Sequence, residues 1–254
     1  MLNDMALPKT FPGMSRTHVA CSALLAAALL SSACSSVAPR TDANASPTVP
    51  EALAIYRESF AADGALYAVD AAASELRIHV YRGGRAAKLG HNHVLSAPHL
   101  QGRVLLPGDD PAQAQFSLRL RFDELTIDDP LLRERIGGGF AGTRSNEDIE
   151  GTRRNMLKSV EATRYPDVII NSVGVRGDWP LLVAEIALSL HGTTRIERVP
   201  LRVDREPAGL TVAGSFAIRQ SDYGITPYAL LGGLLAVEDS LAIEFVLRAL
   251  PVSR

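Results

Sequence analysis

Residues 182–190 read LVAEIALSL, and this stretch decides the fold class. Its large apolar side chains fall on every second residue, and smaller or polar ones lie between them. A period of two puts all the large side chains on one face of an extended chain. The pattern therefore predicts a β-strand with one buried face. The alternating apolar positions are Leu182, Ala184, Ile186, Leu188 and Leu190.

The same alternation recurs along the chain and predicts about eight strands. Short polar connections such as residues 205–209 favour antiparallel neighbours. No long helix separates the strands, as a parallel sheet would require. An all-β antiparallel barrel fits best because closure removes exposed sheet edges, and a two-sheet sandwich is the alternative. The further strand-like runs are 76–80, 101–106, 116–122, 168–175, 201–203, 210–218 and 241–247.

One α-helix is predicted to interrupt the strands. Ser145 and Asp148 have the spacing of a capping box, in which each residue bonds the backbone of the other. The residues that follow carry an apolar stripe with helical spacing. A shorter helical turn is expected at residues 131–136, before the glycines at 137–139. The stripe consists of Ile149, Met156, Leu157 and Val160.

The N-terminal residues predict export rather than a folded domain. The apolar run 19–30 would span roughly 18 Å as a helix, against about 30 Å for a hydrocarbon core, so it indicates a signal peptide. Residues 30–34, LSSAC, look like a lipobox in which Cys34 receives a lipid anchor. Ordinary cleavage after Ala33 is the alternative. Two acyl chains would hold the protein stably at a membrane.

Three segments follow from this interpretation. Residues 1–34 form the signal peptide, residues 35–64 a tether with a candidate short helix at 51–62, and residues 65–254 the barrel domain. The predicted location is the cell envelope, periplasmic and attached through Cys34. Ser35 is not the aspartate associated with inner-membrane retention, so the outer membrane is favoured.

Composition excludes several classes of function. The net charge is −2, so no overall positive field would attract nucleic acid. Both cysteines precede residue 35, which excludes a disulfide or a cysteine nucleophile in the barrel. No G-x-S-x-G, H-E-x-x-H or P-loop motif is present. Asp128 and Asp129 precede Pro130 and indicate a turn and a helix cap rather than a catalytic pair. We therefore predict no enzymatic activity.

Four short motifs together resemble the YceI-like family of lipocalin-like barrels. The motifs are Tyr67-Ala68-Val69-Asp70 with Ser74, Met156-Leu157 followed by Arg164-Tyr165-Pro166 and Ser172, residues 188–194 (LSLHGTT), and residues 219–225 (RQSDYGI). The resemblance implies an eight-stranded periplasmic barrel. It also implies that the lumen binds a polyisoprenoid or another long apolar lipid, and that the protein is not a catalyst.

The inward faces of the strands are the predicted ligand-binding residues. Low aromatic content, 6%, favours an open lumen over a fully packed interior, and an apolar lumen suits a hydrocarbon chain. A solid core without ligand is the alternative. The expected bound molecule is an isoprenoid or fatty-acyl lipid, and no other cofactor is expected. The predicted lumen residues are Ile78, Val80, Phe116, Leu118, Leu120, Ile186, Leu188 and Phe216.

A second set of residues supports a different function. His91 and His93 would project to the same side of an extended segment, and an imidazole pair can begin a zinc or copper site. The alternative function is therefore a metal- or redox-linked envelope protein. The same two histidines could also line the barrel mouth and bind the polar end of a ligand, or simply bond the backbone of a turn.

Overall fold

The structure is a computed structural model that describes residues 64–252. The predicted signal peptide, the predicted lipidation site Cys34 and the predicted tether up to residue 63 lie outside the described residues. Within those residues the chain forms eleven strands and two α-helices. The strands are β1 Ala65–Gly83, β2 His93–Ser96, β3 Gln101–Leu106, β4 Gln115–Arg121, β5 Thr126–Ile127, β6 Asp167–Asp178, β7 Leu181–Leu190, β8 Thr193–Glu206, β9 Gly209–Arg219, β10 Ala229–Leu230 and β11 Leu235–Pro251, and the helices are α1 Pro130–Ile136 and α2 Asn146–Ser159.

Eight of these strands close into an antiparallel barrel. They follow the order β1-β3-β4-β6-β7-β8-β9-β11, and β11 pairs back onto β1. Closure gives every barrel strand two neighbours, which satisfies its backbone groups on both sides. The prediction of an eight-stranded antiparallel barrel is confirmed, and the sandwich alternative is excluded.

Strand β1 is long enough to serve two neighbours. Its first residues, Ala65 to Ala68, pair with β3, and Arg77 to Val80 pair with β2. Between Asp70 and Glu75 the register against β11 shifts, because four residues of β1 bulge out of the ladder. The Asp70 carboxylate accepts hydrogen bonds from the backbone of this bulge. The residues between Asp70 and Glu75 therefore form a bulge within a continuous strand.

The helix prediction is correct for α2 and incomplete for α1. Ser145 and Asp148 form the capping box, and α2 ends at Ser159. The helical turn expected at 131–136 is a separate α-helix, so the count of one inserted helix is wrong. Asp129 caps α1 by accepting from the backbone of Leu132, and Gly137 ends it. No helix within residues 64–252 is long and apolar enough to span a membrane.

Two apolar clusters lie on opposite sides of the barrel wall. The main cluster fills the inside and includes Leu188 and Ile243, and the stripe of α2 packs against it. A smaller cluster joins Val94 of β2 to Leu132 and Phe140. The segment that follows β5, which contains Leu132 and Phe140, thus packs on the outside of the barrel beside β2 through its own apolar residues.

Candidate ligand-binding lumen

The barrel encloses an open cavity. The volume of the cavity is about 200 Å³. A void that holds one water molecule needs roughly 10–15 Å³. The volume of this cavity is therefore more than ten times that of a void for a single water. The structure therefore has an open lumen and not the solid core of the alternative prediction.

The wall of the lumen is apolar. Almost all of its residues are aliphatic or phenylalanine. The exceptions are Gln220 and Trp179. The side-chain N–H group of each donates to a backbone carbonyl oxygen rather than into the lumen. Gln220 Nε2 lies 2.9 Å from the Glu238 oxygen, and Trp179 Nε1 lies 2.7 Å from the Asp109 oxygen. A ligand inside would therefore be held by burial of apolar area rather than by hydrogen bonds.

Strand register places the lining side chains in matching rows. In the pairing of β6 with β7, Ile170 lies opposite Leu188. In the pairing of β9 with β11, Phe216 lies opposite Ile243. Residues directly opposite in a ladder share one face of the sheet. The alternation seen in each strand thus becomes a continuous inner surface around the barrel.

Seven of the eight predicted lumen residues line this cavity. Val80 is the one that is not among the residues lining the cavity. It is partly buried against the main cluster, two residues beyond Ile78 and opposite Leu241 in the ladder, but it does not reach the cavity wall. The seven are Ile78, Phe116, Leu118, Leu120, Ile186, Leu188 and Phe216.

The two ends of the lumen use residues that the alternation did not indicate. At one end the wall includes Val160, which follows α2, and Ile225. At the other end it includes Trp179, in the turn between β6 and β7. Val160 was visible in sequence as part of the apolar stripe. Trp179 followed by Pro180 between two alternating segments is the signal that could have indicated the second end.

The end that contains α2 is held by polar contacts around His191. Its Nε2 lies 3.2 Å from Glu161 Oε1, and its Nδ1 lies 3.1 Å from the Tyr223 carbonyl oxygen. Glu161 directly follows Val160, and Tyr223 is fully buried. Its hydroxyl donates to Glu197 at 2.8 Å. These bonds tie the segment after α2 to the turn after β9.

His91 and His93 lie outside the cavity wall. His93 Nδ1 lies 2.6 Å from Asp128 Oδ2. His91 is exposed, and its pKa is lowered by partial burial and then by the positive charge of Arg144. Within residues 64–252 no group of three or more His, Cys, Asp and Glu side chains is placed to hold a metal ion. The metal-linked function stays a prediction without a ligand set in the described residues.

Asp128 belongs to a buried ion pair with Arg133. Both side chains are almost fully buried, and Arg133 Nη1 contacts Asp128 Oδ1. Burial raises the pKa of the Asp128 carboxyl, but the hydrogen bonds from His93 and the Val94 backbone, with nearby positive charge, lower it below its usual value. Arg133 also donates to the carbonyls of Asn92 and Gly142, at 2.9 Å each. The network fixes α1 against β2, and within it His93 bonds Asp128. This contact gives the His93 side chain a structural role.

A closed antiparallel barrel around an apolar lumen defines a lipocalin-like class of binding protein. A family model described as the YceI-like domain matches residues 67–249. The chain therefore belongs to the YceI-like family, as its motifs predicted. Barrels of this family bind hydrophobic ligands and are generally not enzymes.

BcnA of Burkholderia cenocepacia shows the same fold, and the solved structures that resemble this chain share little of its sequence. BcnA of Burkholderia cenocepacia is 15% identical, with a TM-score of 0.51, over 71% of this chain and 98% of that one. The YceI protein of Campylobacter jejuni is 12% identical, with a TM-score of 0.43, over 63% of this chain and 85% of that one. A comparison with curated proteins found no match.

Proposed function

We propose that this protein is a cell-envelope carrier that holds one long apolar chain, a polyisoprenoid or a fatty-acyl lipid, in its barrel lumen. The observation that carries the proposal is the open cavity whose wall is almost entirely aliphatic or phenylalanine. Among residues 64–252, none of those that line the cavity has a charged side chain. The proposed function is binding, and no reaction is assigned.

Burial predicts how affinity depends on the ligand. Each methylene group removed from water contributes about 0.8 kcal/mol, roughly a fourfold gain in affinity. Affinity should therefore rise along a series of long-chain alcohols until the lumen is full, and then level off. A ligand bound on the outer surface would show no such limit. Titration of the full chain with the series, by displacement of a fluorescent fatty acid, distinguishes the two.

Extraction of the purified protein tests the proposal directly. The full chain is expressed with its own N-terminus, purified from the envelope fraction, and extracted with organic solvent for mass spectrometry. We expect a long-chain lipid at close to one molecule per chain in the wild type. The Ala184→Phe variant, which places a ring in the lumen, should yield much less. Ala187→Phe, the same change on the outer face of β7, is the matched control.

Equal lipid in all three proteins, or lipid in none, would contradict the proposal. Elemental analysis of the same samples addresses the alternative. Stoichiometric zinc or copper that is lost in a His91→Ala, His93→Ala variant would favour the metal-linked function.

The envelope location is proposed from the lipobox-like residues 30–34. Cys34 is the only cysteine that would remain after export, and diacylation of its thiol gives stable attachment. A Cys34→Ser variant should lose incorporation of labelled fatty acid and appear in the soluble periplasmic fraction. Unchanged labelling of the variant would contradict this assignment.

A further inference from the structure

Two neighbouring loops at one end of the barrel expose leucines. We call residues 84–92 and 224–237 the leucine loops. They contact each other, since the Ala86 amide donates to the Leu234 carbonyl oxygen at 2.8 Å. Leu89 of the first loop is 77% exposed and Leu231 of the second is 73% exposed. These are among the most exposed large apolar side chains in residues 64–252, so water covers an apolar surface here.

Leu231 is exposed at a cost to the backbone. Its φ is +50°, in the left-handed region that bulky residues rarely adopt and that glycine or asparagine adopts more easily. The next two residues, Gly232 and Gly233, also have positive φ. A leucine in this position contributes neither core packing nor favourable backbone geometry. Outliers of this kind point to a role in binding.

The charges of the leucine loops have a single sign. Neither loop contains aspartate or glutamate, whereas Arg85 and Lys88 are both exposed beside Leu89. Glu238 lies just beyond the second loop and next to Gly83 at its base. The whole chain has a net charge of −2, so the leucine loops differ in sign from the chain as a whole. Exposed leucines with nearby cations are typical of segments that enter the interface of an anionic membrane.

We propose that the leucine loops dock the barrel on the surface of an anionic phospholipid bilayer, with Leu89 and Leu231 inserted among the acyl chains and Arg85 and Lys88 against the headgroups. A bilayer fits better than a protein partner because the apolar residues stand at loop tips. A stable protein interface needs roughly 1,000 Å² or more and usually aromatic anchors.

The leucine loops lie at one end of the lumen, so docking through them would place that end at the membrane. Ile225 lies in the second leucine loop and also lines the cavity, close to Gln220. Docking would therefore bring one end of the lumen to the membrane surface. An apolar ligand could then pass between bilayer and barrel with less exposure to water. The docking proposal goes beyond the proposed ligand and can hold whether or not the lumen is filled.

Photolabelling from within the bilayer tests the proposal. The full chain is bound to vesicles of phosphatidylglycerol and phosphatidylcholine that contain a phospholipid with a diazirine in its acyl chain. After illumination, labelled peptides are mapped by mass spectrometry. We expect labels in both leucine loops and in the apolar run 19–30, which is retained because the full chain is made by cell-free synthesis without signal peptidase, and which serves as the internal standard because it enters the membrane independently.

Variants of the full chain give the controls. The Leu89→Ser, Leu231→Ser variant should lower loop labelling by at least about tenfold, since burial of each leucine contributes that much or more. Arg85→Ala with Lys88→Ala should lower loop labelling roughly fivefold per charge on anionic vesicles, and little on phosphatidylcholine alone. Leu181→Ser changes a leucine that is 66% exposed at the other end of the barrel, and it should leave loop labelling unchanged.

Loop peptides without label, while residues 19–30 are labelled, would overturn the proposal. Equal labelling over the whole barrel surface would do the same. If sedimentation instead shows a dimer that the leucine double variant dissociates, a second copy of the chain covers these loops, and the bilayer assignment is wrong.

Discussion

A phenyl ring introduced at Ala184 distinguishes an open lumen from a filled one. Ala184 is fully buried on β7, and its side chain lines the cavity. In a filled interior, the Ala184→Phe variant would be overpacked and would lose about 1–3 kcal/mol of stability. In an open lumen the ring enters existing space and gains buried apolar area. Full burial of a phenylalanine contributes about 1.5–3 kcal/mol, so stability should stay equal or rise by about 1 kcal/mol.

The same variant should weaken binding by a calculable amount. A phenyl ring takes the room of about three methylene groups of a ligand, each contributing about 0.8 kcal/mol. Binding of a lumen-filling chain should therefore weaken by about 2–3 kcal/mol, which is roughly 50-fold in Kd. The fluorescent fatty-acid displacement assay measures this change directly.

Equilibrium urea unfolding of the ligand-free proteins provides the stability measurement. Ala187→Phe is the matched control, because Ala187 alternates with the lumen residues and faces outward on the same strand. It should bind as the wild type does. A loss of more than about 1 kcal/mol in Ala184→Phe, or binding within twofold of the wild type, would refute the reasoning.

Further predictions concern the buried ion pair, pH and the anchor. Asp128→Ala leaves the Arg133 charge buried and should cost about 3–5 kcal/mol in urea unfolding, whereas the same change at Asp109, which pairs with Arg205 on the surface, should cost little. Folding lowers the pKa of Asp128, so its ionised carboxylate contributes fully to stability above about pH 3.9, and this contribution is lost as the pH falls through the lower pKa of the folded state. Asp128→Asn should therefore remove that part of the loss of stability in acid. An unchanged dependence of unfolding free energy on pH would contradict this prediction. An NMR titration should give His91 a pKa below its ordinary value of 6.5, and a value above 6.5 would contradict its assigned surroundings. Cys34→Ser should release the chain from the membrane fraction. If the leucine loops alone hold the variant at the membrane, added salt should release it, because salt screens the attraction between their cations and anionic lipids.

Alternation was enough to predict the barrel strands because each has one face against the lumen. Leu182 to Leu190 show this most clearly, and all eight predicted strands are present. The three missed strands, β2, β5 and β10, have two to four residues, too few for a period to be visible. Helix α1 was underestimated for the same reason, although its cap Asp129 and the following Pro130 were correctly interpreted.

Properties that depend on contacts distant in sequence could not be predicted. Asp128 was interpreted as part of a turn, but its partner Arg133 matters only because both are buried against β2. Val80 has the correct alternation, yet it does not line the cavity, although its ladder partner Leu241 does. The exposure of Leu231 was likewise invisible, since in sequence it belongs to an ordinary apolar run, residues 229–237.

The position of a heavy-atom-labelled chain tests the central claim most directly. Crystals of the full chain with a long-chain alcohol that carries bromine at its far end would show the bromine by anomalous scattering. We expect the signal inside the barrel, between the walls that contain Leu188 and Phe216. Bromine only on the outer surface, with the lumen closed by its own side chains, would contradict the proposal that this barrel carries a hydrocarbon chain.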